Sequence, residues 1–139
     1  MFERWKEKRE QTMARNRAIA ESQYWKTHPR LQTCLQAMRG SCTLAPVEMH
    51  EAAIAAVNIA MQEDTWQNAD RIPAGFPGNT VYLVWDDPKL PVLKAPWPLV
   101  EAHLTDVRAV SCRTFLVAEI LDRIIAFDDA GSLKLYSVA

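Results

Sequence analysis

The run Thr80-Val-Tyr-Leu-Val-Trp85 limits the possible folds more than any other part of the chain. It is β-branched and aromatic, and its apolar residues fall at both odd and even positions. Successive side chains of a strand point to opposite faces, so this strand is apolar on both sides and belongs at the centre of a sheet. Pro73, Gly75, Pro77 and Gly78 precede it and mark Trp66 to Asn79 as a loop. Asp86-Asp87-Pro88 ends it, and Pro88, Pro91, Pro96 and Pro98 predict an extended, irregular stretch. Pro98 then opens a helix carrying Leu99, Val100, His103, Leu104 and Val107. Apolar runs at Arg113 to Ile120, Ile124 to Phe127 and Leu133 to Val138 are separated by Asp122-Arg123 and by Asp128-Asp129-Ala130-Gly131. Two tight turns between three such runs predict an antiparallel meander.

The first half reads as helical. Phe2 to Tyr24 lacks Pro and Gly and is rich in strong helix formers, although its apolar stripe (Phe2, Trp5, Met13, Ile19, Ala20, Tyr24) is thin. Pro29 opens a second helix, with Thr27 or His28 as its cap, whose buried face is Leu31, Cys34, Leu35 and Met38; Gly40 stops it. Pro46 opens a third, to Glu63, with Val47, His50, Ile54, Val57 and Met61 on one stripe. Their short connection predicts an antiparallel hairpin over 27–63. The expected fold is therefore α+β over a single domain, 1–139. Three N-terminal helices are followed by a strand, a helix and a three-stranded meander, giving a roughly four-stranded sheet covered by helices. Residues 1–24 form a basic arm and 80–139 the sheet region. Val81, Leu83, Phe115, Val117, Ile125, Phe127, Leu133 and Leu135 are expected in the sheet core.

A formal net charge of −1 conceals an asymmetry. Residues 1–30 hold eight Lys/Arg against four Glu, a net of +4, and the remaining residues carry a net of −5. A basic arm on an acidic body bears on partners rather than on fold. No apolar stretch approaches the ~18 residues of a membrane span, and the charged first 17 residues contain no apolar core of a secretory leader. Cys34, Cys42 and Cys112 are an odd number at irregular spacing, which suits reduced thiols in a cytoplasm.

Known chemistries find little purchase. Cys34 lies on an apolar helix face; Cys42, in a short loop, is the thiol read as exposed, and no flanking motif supports it as a nucleophile. His50-Glu51 opens like a zinc-protease helix, yet Ile54 stands where the second histidine belongs. His50 and His103 are read at the edges of apolar helix faces, and His28 at a helix start. Gly75 and Gly78 precede the strand instead of following it, so no phosphate loop forms. No cofactor and no metal are expected. Trp5, Tyr24 and Trp25 among the arm's arginines suit nucleic acid, but the glutamates dilute the field and a pI of about 6.3 disfavours that partner. Asp86, Asp87, Asp122, Asp128 and Asp129 either form an acidic rim for a basic protein or serve only as turn residues. In a meander, successive turns fall at opposite ends, which separates Asp122 from Asp128 and Asp129.

Val81-Tyr-Leu-Val-Trp85 with Asp86-Asp87, the Trp97-to-Val107 helix, and the meander Thr114 to Glu119, Ile124 to Asp128 and Leu133 to Tyr136 together cover about 60 residues. In that layout the second half resembles small bacterial immunity proteins that neutralise secreted toxins. The resemblance implies a small cytoplasmic binder without a cofactor, whose partner is another protein; no functional residue carries over, because those families share no binding motif. The expected function is thus a non-catalytic protein-binding protein that occludes a partner such as a basic toxin. The alternatives are a nucleic-acid accessory protein using the arm and an enzyme of unrecognised type. Candidate partner-binding residues are Trp66, Asp86, Asp87, Asp122, Asp128 and Asp129. Phe2, Trp5, Arg9 and Met13 are candidates for an arm or homodimer contact.

Overall fold

Thr80–Trp85 is a strand buried on both sides, as its composition requires, and the rest of the chain is arranged around it. The computed structural model describes Ala18 and residues 23–138. Its elements run α1 (Gln23–Lys26), α2 (Pro29–Ala37), β1 (Thr43–Leu44), α3 (Val47–Met61), β2 (Gln67–Ala69), β3 (Thr80–Trp85) and β4 (Leu93–Pro96), followed by α4 (Trp97–Ala102), α5 (Leu104–Arg108), β5 (Thr114–Ala118), β6 (Arg123–Phe127) and β7 (Leu133–Ser137). The fold is α+β. The sheet has seven strands, not the expected four, in the order β1-β4-β3-β5-β6-β7-β2, and every neighbouring pair is antiparallel. The meander β5-β6-β7 forms as its turns dictate, and β3 lies beside β5 with Trp85 opposite Thr114.

Three short strands account for the difference. Leu93–Pro96 falls in the proline-rich stretch expected to be irregular; the prolines hold it extended, and Leu93 and Ala95 bury alternate positions. Pro96 lies beyond the two-residue β1, where the outer ladder has already ended. Gln67–Ala69, inside the segment expected as loop, pairs with β7 at the other edge.

Helices cover both faces. Val81, Leu83, Trp85, Leu116, Ile125 and Phe127 pack with Leu31, Cys34 and Met38 of α2 and with Val100 and Val107 of α4 and α5. Tyr82, Val84, Phe115, Val117, Ile124 and Tyr136 pack with Ala53, Val57 and Ala60 of α3. Burying each Val, Leu or Ile side chain contributes about 1.5–3 kcal/mol. The two helices expected as a hairpin over 27–63 thus lie on opposite faces. β1, at the sheet edge, carries the chain between them.

Local signals set the helix ends. His28 caps α2, its Nδ1 accepting from the Leu31 N–H at 3.2 Å, and Pro29 occupies the first turn. Arg39 and Gly40 follow at φ 51° and 80°, turning the chain out of α2. The single helix expected after Pro98 is two, broken at His103, whose φ of −122° is not helical. Apart from Ala18, residues 1–22 lie outside the described residues, and with them most of the basic arm.

Candidate functional site: an acidic groove along α3

Register decides which candidates meet. Trp85 pairs with Thr114 and Thr114 with Phe127, so the residues after β3, before β5 and after β6 share one end of the sheet. That end gathers Asp86, Asp87, Arg113, Asp128 and Asp129. Asp122 lies at the other end, 3.9 Å from the Arg123 guanidinium.

The aspartates at the shared end are anchored as turn residues. Asp86 Oδ1 accepts from Ser111 Oγ at 2.5 Å and from the Arg113 N–H at 3.2 Å. Asp87 accepts from the Lys89 N–H at 2.9 Å and, through its other oxygen, from the Tyr24 hydroxyl at 2.8 Å. That bond raises the Tyr24 phenol above its ordinary pKa. Asp128 Oδ1 accepts from the Ser132 N–H at 2.8 Å, closing the turn that Gly131 completes at φ 85°. These bonds fix where the carboxylates stand, and each carboxylate retains acceptor capacity beyond them.

Above this end, α3 leaves a groove. Its stripe of Ala53, Val57 and Ala60 meets the sheet, while Ile54 and Met61 stay 36% and 50% exposed. A cleft of about 610 Å³ lies between α3 and the end of β3, lined by His50, Glu51, Ile54, Asn58, Trp85, Asp86 and Asp87 among others. Met61, Arg113 and Phe115 also line a second hollow of about 410 Å³, shared with Glu63, Asp64, Trp66, Asp128 and Lys134. Glu51, Glu63, Asp64, Asp86, Asp87 and Asp128 therefore stand along one groove against Arg113 and Lys134. An acidic groove with an apolar floor can hold a cationic segment and exclude water from it.

His50 is the least expected member. It is 2% exposed, and its ring hydrogen-bonds the Ala45 backbone. Its Nε2 is buried without a partner among the described residues, so the bond to Ala45 is made through Nδ1. Burial lowers its pKa and the Ala45 bond opposes that only in part, which keeps the ring neutral and Nε2 an acceptor. An unmet buried acceptor costs about 1–3 kcal/mol. The sequence places His50 at the edge of the helix face; the structure moves it inside. The expected stripe of Val47, His50, Ile54, Val57 and Met61 is not the buried one: Ile54 and Met61 are exposed, and the signal for the burial of His50 is its spacing of three, seven and ten residues from Ala53, Val57 and Ala60.

Trp66 is half-buried, unlike the surface residue expected. Its Nε1 donates to the Ala60 carbonyl at 2.7 Å, and its ring lies 5.2 Å from that of Tyr136. It thereby satisfies a carbonyl in the last turn of α3 while lining the groove. Asp129 faces away from this groove into a separate hollow of about 720 Å³ with Arg30, Arg108 and Cys112. The thiols exchange roles: Cys42 is buried, because the short connection tucks under the sheet edge, and Cys112 is the exposed one. Phe2, Trp5, Arg9 and Met13 lie outside the described residues. Among the described residues no group of three His, Cys, Asp or Glu could hold a metal ion, and no helix is long and apolar enough to cross a membrane. Compared with models of known protein families and with curated proteins, the chain matches none.

Proposed function

We propose that the chain is a non-catalytic protein-binding protein, that the α3 groove is its recognition surface, and that it acts by occluding a basic partner in the manner of an immunity protein. The observation that carries this reading is the union, in one groove, of exposed Ile54 and Met61 with six carboxylates. Apolar side chains at the centre of a patch supply binding energy when they are desolvated, and a charged rim steers the encounter. A basic toxin surface complements both features. The proposed setting is a cytoplasm, which the free thiols Cys34, Cys42 and Cys112 favour. A homodimer contact through Phe2 and Trp5 is a separate part of the proposal.

Site-specific photo-crosslinking tests the reading. A photoreactive residue at Met61 is expected to capture a basic protein, and one at Ile120, on the β5–β6 turn at the far end of the sheet, is not. Ile54→Asp with Met61→Asp should then weaken binding of the captured partner about tenfold or more. Equal capture at both positions would overturn the groove as the recognition surface. Co-purifying material that absorbs strongly at 260 nm and is lost with salt would instead favour nucleic-acid binding through the arm.

A further inference from the structure

α3 is unusually apolar for a helix that faces solvent. It includes Glu48 and Glu51 and no Lys or Arg, and Ile54 and Met61 stand exposed along the groove. A helix with apolar residues beyond its buried stripe calls for cover on a second side. Carboxylates flank the exposed pair at both ends. Glu51, Asp86 and Asp87 line the 610 Å³ cleft, Glu63, Asp64 and Asp128 line the 410 Å³ hollow, and Met61 borders both. The complement of such a groove is a segment with an apolar residue between two cations.

The chain's own N-terminal stretch has that pattern. Residues 8–17 hold Lys8, Arg9, Arg15 and Arg17 against Glu10, and they lie outside the described residues. Arg9, Met13 and Arg17 are four apart, so in the helix that the sequence predicts they share one face, with the methionine between two guanidiniums. The chain also enters the described structure at the groove. The Tyr24 hydroxyl donates to Asp87 at 2.8 Å, Lys89 Nζ lies 5.3 Å from the centre of the Tyr24 ring, and Asp87 lines the cleft. The seven residues from Tyr24 back to Arg17 span up to about 23 Å. Asp87 borders the hollow on the α2 side as well, but Arg30 and Arg108 line that one, and none of the exposed large apolar side chains among the described residues does.

We infer that residues 8–17 lie in the α3 groove of their own chain, with Met13 against Met61, Arg17 toward Asp86 and Arg9 toward Glu63, and that a basic partner gains the groove by displacing them. The inference rests on the groove reading and adds its regulation. The polarity follows from the tether, because Arg17 is nearer than Arg9 to Tyr24 and so meets the end at Asp87 first. A short tether gives the stretch an effective concentration on the order of millimolar, which the arm of a second copy does not match in dilute solution. Exposed ion pairs are weak and screened by salt, so the cover is loose enough to be displaced. Phe2 and Trp5 lie beyond the docked stretch and stay available for the homodimer contact.

Photo-crosslinking within the full-length chain tests this without the partner. Protein with a benzophenone side chain at Met61 is prepared as an equal mixture of ¹⁴N and ¹⁵N copies, irradiated in dilute solution and digested. Cross-links are expected to run to residues 8–17 and to join peptides of the same isotope, and the same group at Ile120 should give none to that stretch. The yield should fall severalfold between about 0.1 M and about 1 M salt. Arg9→Glu with Arg17→Glu should lower it roughly fivefold or more at low salt; the salt series stands on its own if that variant does not fold. Cross-links absent from residues 8–17, or indifferent to salt, would overturn the inference. Cross-links that join ¹⁴N to ¹⁵N peptides would overturn it too, giving the groove to the arm of a second copy. If the arm is not captured while Met61 still captures a basic protein and the Ile54→Asp, Met61→Asp pair still weakens that binding, the cover falls and the groove stands as the partner's site. If the arm is captured and no basic protein ever displaces it, the contact within the chain stands and the displacement by a partner falls.

Discussion

His50 brings a group that titrates near neutrality into the interior of the α3 face, and its lowered pKa ties the stability of the fold to pH. The unfolded chain takes up its proton near the ordinary histidine value of about 6.5. The native ring resists protonation until lower pH, because charging it means charging a buried group. Below about pH 6.5 the unfolded state binds more protons than the native one, so stability falls as pH falls through that window, down to the folded pKa. Melting temperatures measured between about pH 7.5 and 5, either side of that value, should decline in the wild type, and part of the decline should disappear in His50→Leu. An identical slope in the variant would show that the imidazole contributes nothing to the pH dependence. The thiols give a second test at this scale. Burial pushes Cys34 and Cys42 up to about 12, while Cys112 is exposed. A thiol reagent at pH 8 should modify Cys112 quickly in the native protein and reach the other two only on unfolding. The burial of Cys34 is legible in its helical spacing. That of Cys42 is not, because a five-residue connection has no periodicity from which to read an inside and an outside.

Elements long enough to show a period are readable, and those that form only by pairing are not. β3, β5, β6 and β7 each present alternating or continuous apolar residues, and α2 carries its stripe at helical spacing; in α3 the period is legible but the buried face is not, since Ala53 and Ala60 face the sheet where Ile54 and Met61 were expected. β1, β2 and β4 have two, three and four residues, and become strands because a neighbour's free edge is available to them. The relation between α2 and α3 is hidden for the same reason: a short connection implies a hairpin only if it does not pass around a sheet edge, and β1 makes it do so. Among the groove candidates, the turn aspartates are legible as a class, yet their convergence depends on the register of β3 with β5, which no local pattern encodes. The end of α3 illustrates how an element is closed from outside. The Trp66 indole bonds the Ala60 carbonyl and its ring lies against Tyr136 of β7. Trp66→Phe keeps an aromatic ring and removes the bond, so it should cost about 0.5–1.5 kcal/mol in denaturant unfolding. Trp66→Ala, which also gives up the ring contact, should cost more. Equal losses would mean that the hydrogen bond contributes nothing measurable.

For the molecule as a whole, the decisive feature is that the sheet is covered on both faces by helices drawn from residues 29–61 and 97–108. The strand apolar on both sides requires such cover, and the described residues supply it: α2, α4 and α5 over Val81, Leu83 and Trp85, and α3 over Tyr82 and Val84. Among the described residues, 23–138 supply seven strands and two apolar clusters. Removing residues 1–22 takes away six Lys/Arg and four Glu, so the remaining body changes from a net −1 to a net −3. A chain beginning at Gln23 is expected to unfold in one cooperative transition, since it keeps every strand and every cluster member named above, and Tyr24 still reaches Asp87. Its greater negative charge should speed association with a basic partner at low ionic strength, and the gain should vanish as salt screens it. A thermal melt reads the first expectation and stopped-flow association across a salt series the second. Light scattering on the same protein measures whether Phe2 and Trp5 hold two copies together, as the thin apolar stripe of the arm suggests. A truncated chain that fails to fold would make the arm part of the core, and its basic charge would then have to be counted with the acidic groove instead of apart from it.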